Sequence, residues 1–386
     1  MSDQDTQPPP HNFVPCQPSG PTIGRGSRWT PFQLFKLFFN TTVVCTLITN
    51  TNKMAQKMKA AGKKFRWKPV SKEEFYTFVA VIIFCGLVKC PVKDDYWRKQ
   101  SSYNFRFPSS VMSRNRFNSI FWCLHWSDPD EDEENNQKKG TPQHDRLFKV
   151  KPLYDDILLA CKATYYPGQQ LSTDERMLAT KARIGFKQYL PLKPTKWGIK
   201  LFVLADMNGY TWNYFIYEGK TAEQLTDGLG HSAVMRLLDV SLLGTGYQVY
   251  MDNFYTSPKL LSDLDQKKIM VCGTMRESHR GFPAIEPNKL LKKAKRGEFR
   301  WLRMDRLLFV QWMDTKQVTV VSNFHRAFSG FITRRRVRDE AGNVCKTDVT
   351  IPDAVKDYNA FMGGVDLSDA LIGYYSVLHK TMKWYK

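Results

Sequence analysis

Hydrophobic periodicity changes at Gly168, and that change constrains the fold more than any other feature of the 386-residue chain. Before it, apolar residues recur at helical spacing. After it they alternate, or run together as strands do. Gln169 to Leu178 alternates as a strand and carries Asp174. Trp197 to Ala205 and Tyr210 to Tyr217 are β-rich runs joined by Asp206-Met-Asn-Gly209, where Asn-Gly accepts the positive φ of a tight hairpin. Thr221 to Leu243 is expected as helix, Tyr247 to Asp252 as strand, Ser257 to Lys267 as helix and Ile269 to Met275 as strand.

Three strands, helix, strand, helix, strand is what a ribonuclease-H-like α/β domain requires. A metal site forms there where the ends of neighbouring central strands lie side by side. Asp174 sits in Leu171-Ser-Thr-Asp-Glu-Arg-Met177, and Asp252 closes the run Val249-Tyr-Met-Asp252. Asp366 follows Gly363-Gly364, which allow close backbone approach into a helix expected from about Val365 to Leu378. A lone aspartate at a strand end is more often a cap or turn residue. Three in this order are the minimum for holding two divalent cations over a phosphodiester, since hard cations take oxygen ligands. Two such ions stabilise both the attacking and the leaving oxygen of an in-line displacement. Asp369 shares a helix face with Asp366, although the helix dipole stabilises an acid in the first turns anyway. Glu175 is expected on the opposite strand face, and Asp206 is explained by its turn.

Charge points to the same substrate. With 57 Lys+Arg against 37 Asp+Glu the net charge is +20, which favours a polyanion, double-stranded DNA, because each neutralised phosphate releases counterions. A soluble basic protein without that partner is the alternative. The basic, aromatic stretch with Arg183, Lys187, Lys193, Lys196 and Lys200 grips DNA backbone, or is a solvated strand edge with core aromatics. Arg334, Arg335 and Arg336 are a nuclear import signal, a phosphate clamp or an exposed loop. The nucleus is the expected compartment. No run of about 18 apolar residues could span a bilayer, so no membrane is expected. The opening residues lack the pattern of a secretory signal. The 8 cysteines form no C-x-x-C and read as buried reduced thiols, with no zinc site. His125 and His325 lie beside apolar segments and are expected as satisfied core residues.

The expected organisation is a disordered Pro/Gln/Gly-rich tail (1–28), a helical N-terminal region (29–127) and an acidic flexible linker (128–145). The core then begins (146–275), is interrupted by an inserted β-rich subdomain (276–350), and resumes with the helix bearing the third acid (351–386). Ser71-Lys-Glu-Glu74 is a capping box ahead of an apolar run.

The chain resembles the piggyBac family of DNA transposases and its domesticated descendants, from about Phe32 to Lys386. The resemblance is carried by Met112-Ser-Arg-Asn-Arg-Phe117 with Leu124-His125, by Leu171-Ser-Thr-Asp-Glu175, and by Tyr189-Leu-Pro-Leu-Lys-Pro194 with Lys196-Trp-Gly-Ile-Lys200. Asp252-Asn-Phe-Tyr-Thr-Ser257 and Tyr358-Asn-Ala-Phe-Met-Gly-Gly-Val-Asp366 complete it, all in the family's order. It implies Asp174, Asp252 and Asp366 as the catalytic, metal-holding aspartates and Asp369 as the additional acid. It also implies Mg²⁺ or Mn²⁺, cleavage at terminal inverted repeats through hairpin ends, and insertion at TTAA. Two departures stand out. Ala182-Arg183 replaces the family's Gly-Arg pair. Members also continue past the position of Lys386 into closing helices and a cysteine-rich zinc-binding tail, so the resemblance implies a C-terminally truncated relative as the expectation. Two readings stay open: a transposase-derived enzyme of strand cleavage and transfer, and a domesticated, inactive DNA- or chromatin-binding protein. A homodimer is an open expectation for either.

Overall fold

The computed structural model describes residues 5–386, apart from 25, 27, 100–103, 192, 220–226, 284–288, 339–343, 376, 378–380, 382 and 386. Two compact units emerge. One comprises Met1–Pro21, Tyr165–Arg176 and Lys200–Ser368, the other Thr22–Thr164, Met177–Ile199 and Asp369–Lys386.

The first unit is a mixed α/β layer structure. Its strands are β1 (Gln170–Ala179), β2 (Trp197–Asp206), β3 (Thr211–Ile216), β4 (Gln248–Met251), β5 (Met270–Thr274), β6 (Phe299–Met304), β7 (Leu307–Met313) and β8 (Gln317–Ser322). They hydrogen-bond in the order β6-β7-β8-β5-β4-β1-β2, with β3 on β2. β4 runs parallel to both β1 and β5, and the β2–β3 and β5–β8 pairs are antiparallel. Alternation then sorts the side chains to two faces. Val249 and Met251 join Leu260, Leu261 and Leu264 of α2 (Pro258–Gln266) and Val234 and Leu237 of α1 (Leu229–Leu237) in one core. Tyr250, Met270 and Cys272 face the other way, onto Ala354 and Val355 of α3 (Asp353–Phe361). The start of the helix expected from Thr221 lies outside the described residues.

Three expectations differ here. The strands of the expected inserted subdomain continue the same sheet, since β8 pairs with β5; among the described residues of that segment, only the hairpin Ile332–Arg338 with Val344–Thr350 stands apart from it. Described residues of the expected disordered tail are held. Val14–Pro15 pairs with Gly244–Thr245, and Asp5 forms an ion pair with Arg303 at 2.7 Å. The third difference lies in the other unit, where the expected flexible acidic linker contains a helix, Pro129–Gln137. Asp128 caps it by accepting from the Asp130 amide (2.8 Å), and Pro129 presets φ in the first turn. Lys53 and Lys57 neutralise Asp128, Asp130 and Glu133 at 2.6 to 3.1 Å.

That second unit is otherwise helical, as its periodicity requires. Val44 and Leu47 of Thr41–Ala60, Phe75 and Phe78 of Lys72–Leu87, and Phe117 and Ile120 of Arg114–Cys123 form its core. Ser71 caps its helix by accepting from the Glu74 amide (3.2 Å), while the Glu74 carboxylate turns to Arg116 (2.6 Å) instead of closing the box. His125 is buried and bonded to Asp132 at 2.6 Å. No single helix among the described residues is long and apolar enough to cross a membrane.

Burial opposes ionisation of Asp132, but hydrogen bonds from His125 and Ser127 outweigh it and hold the carboxyl below its ordinary range. A lowered folded value contributes stability that is present above the ordinary carboxylate pKa and is lost as pH falls through the lowered value. Asp132→Asn should therefore cost roughly 1–3 kcal/mol at neutral pH, read by urea unfolding. The difference from wild type should shrink as pH falls below about 4.

Candidate active site

The parallel pairing of β1 with β4 builds the site. Ser172 lies opposite Tyr250 and Thr173 opposite Met251, so Asp174 and Asp252 follow as the next neighbours across two strands about 4.8 Å apart. Parallel partners share a face, and Tyr250 faces α3 through a ring contact with Phe361 (5.3 Å). The turn after β4 orients Asp252. Its Oδ1 accepts from the Phe254 amide (2.9 Å), and its carbonyl accepts from the Thr256 hydroxyl (2.8 Å). Asp174 Oδ1 accepts from the Glu175 amide (2.7 Å).

Two tyrosines from different elements register both charges. Burial pushes Tyr358, on α3, up to about 12, with Asp252 and Asp174 adding to the effect and a Thr274 hydrogen bond opposing it. Tyr255, in the turn after β4, is driven well above its ordinary value by burial, then by Glu175, Asp174 and Asp252.

Asp366 arrives on α4 (Gly364–Gly373) along the same sheet face. The Val365 amide donates to Ser172 Oγ (3.2 Å), and Arg176 donates to Ser368 Oγ (2.8 Å). Ser172, Asp174 and Arg176 alternate onto one face of β1, so Asp174 is bracketed by two contacts to α4, and Asp366 lies in the turn between them. Gly364 makes the approach possible: a Cβ there would stand 2.4 Å from the Asp206 carbonyl and 2.6 Å from Ser172 Oγ. Gly363 meets nothing within 4 Å and carries no such demand. Asp206 caps its own hairpin by accepting from the Asn208 (2.9 Å) and Tyr210 (3.0 Å) amides.

The donors are hard oxygens, the chemistry a divalent cation such as Mg²⁺ takes. Asp174 and Asp252 are half-buried, whereas Asp366 and Asp369 are exposed. Among the described residues, no three acidic, histidine or cysteine side chains stand close enough together to hold a metal ion. Asp174 and Asp252 thus each follow the last ladder pair of adjacent parallel strands, and Asp366 is on the same face without closing a ligand set among the described residues.

The cations divide. Lys200, expected on DNA, is buried and forms an ion pair with the buried Glu175 at 3.2 Å. Its ammonium lies over the rings of Phe202 (4.4 Å) and Phe254 (4.6 Å). Burial opposes ionisation of Glu175, and the Lys200 charge outweighs it and keeps the carboxyl low. The expectation that Glu175 faces away from Asp174 did not include this pair. The available signal was a lysine inside a run too apolar to leave it unpartnered.

Arg183 and Lys196 are exposed, and Lys187 and Lys193 are half-buried. Lys187 lies over Trp197 (5.4 Å), whose ring meets Tyr189 at a tilt (4.6 Å between centroids); both rings are about half exposed, unlike the buried Phe186. Arg334 and Arg336 are exposed on the separate hairpin, Arg334 facing Asp348 at 3.5 Å. Arg335 points to the other face, toward Asp314 (3.6 Å).

Comparison with known proteins follows this geometry. The family described as Transposase IS4 matches residues 30–386. The chain is 28% identical over 362 residues to the human PiggyBac transposable element-derived protein 3, covering 92% of this chain and 58% of that one. It is 27% identical over 370 residues to the human PiggyBac transposable element-derived protein 2, covering 94% and 59%. The chain therefore spans less than two thirds of these relatives. The cryo-EM structure of a piggyBac transposase synaptic complex with hairpin DNA has the same fold, with a TM-score of 0.78 at 24% identity over 95% of this chain and 73% of that one.

Lys200→Met should lower thermal stability by about 3–5 kcal/mol, because it strands the Glu175 charge. Lys200→Met with Glu175→Gln should recover most of it. A lysine serving DNA instead would leave the melting temperature unchanged.

Proposed function

The chain belongs to the transposase IS4 family in its piggyBac branch, and from that premise we propose a DNA-binding protein whose core is built for metal-dependent cleavage and transfer of DNA strands. The observation that carries this reading is the parallel β1–β4 register, whose last pair, Thr173 with Met251, immediately precedes Asp174 and Asp252. The order β3-β2-β1-β4-β5, with helices on both faces, supports a ribonuclease-H-like core.

Asp174 and Asp252, with Asp366 from α4, would hold Mg²⁺ or Mn²⁺. Such an ion supplies a nucleophile at neutral pH and charge stabilisation at phosphorus. Asp369 would assist from the next turn. The protein's own contribution is positional. Backbone amides fix one oxygen of each strand-end acid, and Ser172 and Arg176 hold α4 over β1. Exposed Arg183, Lys196, Arg334 and Arg336 meet backbone phosphates, with Lys187 and Lys193 beside them and Arg335 steadying its hairpin. The neighbour, a synaptic complex with hairpin DNA, supports DNA as partner, and a homodimer is proposed as the assembly. The nucleus is the compartment this substrate implies.

The second reading, a domesticated DNA-binding protein without cleavage, draws on a ligand set left open among the described residues. One experiment separates the two. Duplex binding should weaken at least about tenfold between roughly 50 and 200 mM salt, and Arg334, Arg335 and Arg336 changed together to alanine should weaken it further. Asp252→Asn should leave that binding intact and abolish Mn²⁺-dependent nicking. Binding without nicking in wild type selects the second reading. Salt-independent binding, or none, overturns both.

A further inference from the structure

Residues 5–21 cross one edge of the sheet, largely in the order of its strands. Asp5 pairs with Arg303 of β6 at 2.7 Å and accepts from the Ala327 amide (2.7 Å). Gln7 donates to the Phe324 carbonyl just past β8 (2.8 Å), and the Pro9 carbonyl accepts from Arg306 in the β6–β7 turn (3.1 Å). His11 meets Asp265, at the end of α2 ahead of β5, at 2.9 Å. Phe13 lies edge-on to the buried Tyr247 (4.9 Å), and Val14–Pro15 pairs with Gly244–Thr245, both ahead of β4. Gly20–Pro21 then pairs with Tyr165–Tyr166, ahead of β1. The run Pro8-Pro-Pro10 is stiff and extended, which suits a crossing.

The backbone ahead of β4 is shaped to receive this segment. Gly244 and Gly246 both have positive φ. A Cβ would stand 2.3 Å from the Val14 carbonyl oxygen at Gly244 and 2.1 Å from the Asn12 carbonyl oxygen at Gly246. What the crossing holds matters for the acids. β1 and β4 share four ladder pairs, and Asp174 and Asp252 follow the last of them. A one-residue slip would turn an acid to the other face of the sheet, and a two-residue slip would part the two by about 6.6 Å. So short a ladder gains from a second tie, and residues 14–21 supply one by pairing with the lead-in of each strand.

We propose that residues 5–21 are a positioning strap, which fixes the β1–β4 register from the strand ends opposite the acids and so sets the affinity of Asp174 and Asp252 for one cation. The proposal rests on the cation-binding reading of those acids. The test follows amide hydrogen exchange and Mn²⁺ binding in the full chain for two variants. Asp5→Ala with Phe13→Ala removes two anchors from the strap, and Gly246→Ala displaces it from the other side. In both, the amides of 170–173 and 248–251 should exchange about tenfold faster, while those of Thr41–Ala60 keep their wild-type rates. Mn²⁺ affinity should fall about tenfold. Unchanged exchange at 170–173 and 248–251, or equal acceleration throughout the chain, overturns the strap assignment. Faster exchange there with Mn²⁺ affinity unchanged overturns its link to the acids. A wild-type chain that takes up no Mn²⁺ overturns the cation reading beneath it, and exchange alone then decides whether the strap sets the register.

Discussion

Parallel pairing between Gln170–Thr173 and Gln248–Met251 is the constraint on which the rest depends. Parallel neighbours end together, so the last ladder pair brings two acids out at one edge of the sheet. An antiparallel arrangement would have put them at opposite ends. Parallel strands also need a long crossover, which is why helices intervene before Gln248 and cover one face. The opposite face is left for α3 and α4, and the chain must travel through β6–β8 and a hairpin before it returns there with Asp366.

Bringing acids together is unfavourable unless the surroundings oppose their repulsion. Backbone amides do part of this at Asp174 and Asp252. Lys200 acts from inside the sheet, by pairing with Glu175, the residue after Asp174. A buried pair of this kind adds little net stability, since desolvation offsets the attraction, but losing one partner is costly. Its consequence is structural: β1 and β2 cannot slide against each other without separating the charges.

Local chemistry was legible in the sequence, and long-range pairing was not. The Asn-Gly hairpin, the Ser71 cap and the acids at the strand ends follow from neighbouring residues alone. The helix at Pro129–Gln137 was obscured because its many carboxylates resemble a solvated loop. It is sustained by Lys53 and Lys57, more than 70 positions away. The tail reads as disordered by composition, yet its partners lie near Tyr166 and beyond residue 240. Lys200 looked like a phosphate contact because its spacing matches Lys196, while its exposure is decided by β1. The strands of 299–322 were recognised as strands. Their membership of the core sheet depended on register with β5, which no local pattern encodes.

The account's central claim is that Asp174 and Asp252 act together on one cation. It is tested most directly by titrating Mn²⁺ into the full chain and following the free ion by electron paramagnetic resonance. Wild type should remove Mn²⁺ from solution, and Asp174→Asn and Asp252→Asn should each weaken binding by about tenfold or more. The double variant should be little worse than either, because the two carboxylates share the ion. Binding that survives unchanged in both single variants would contradict the claim.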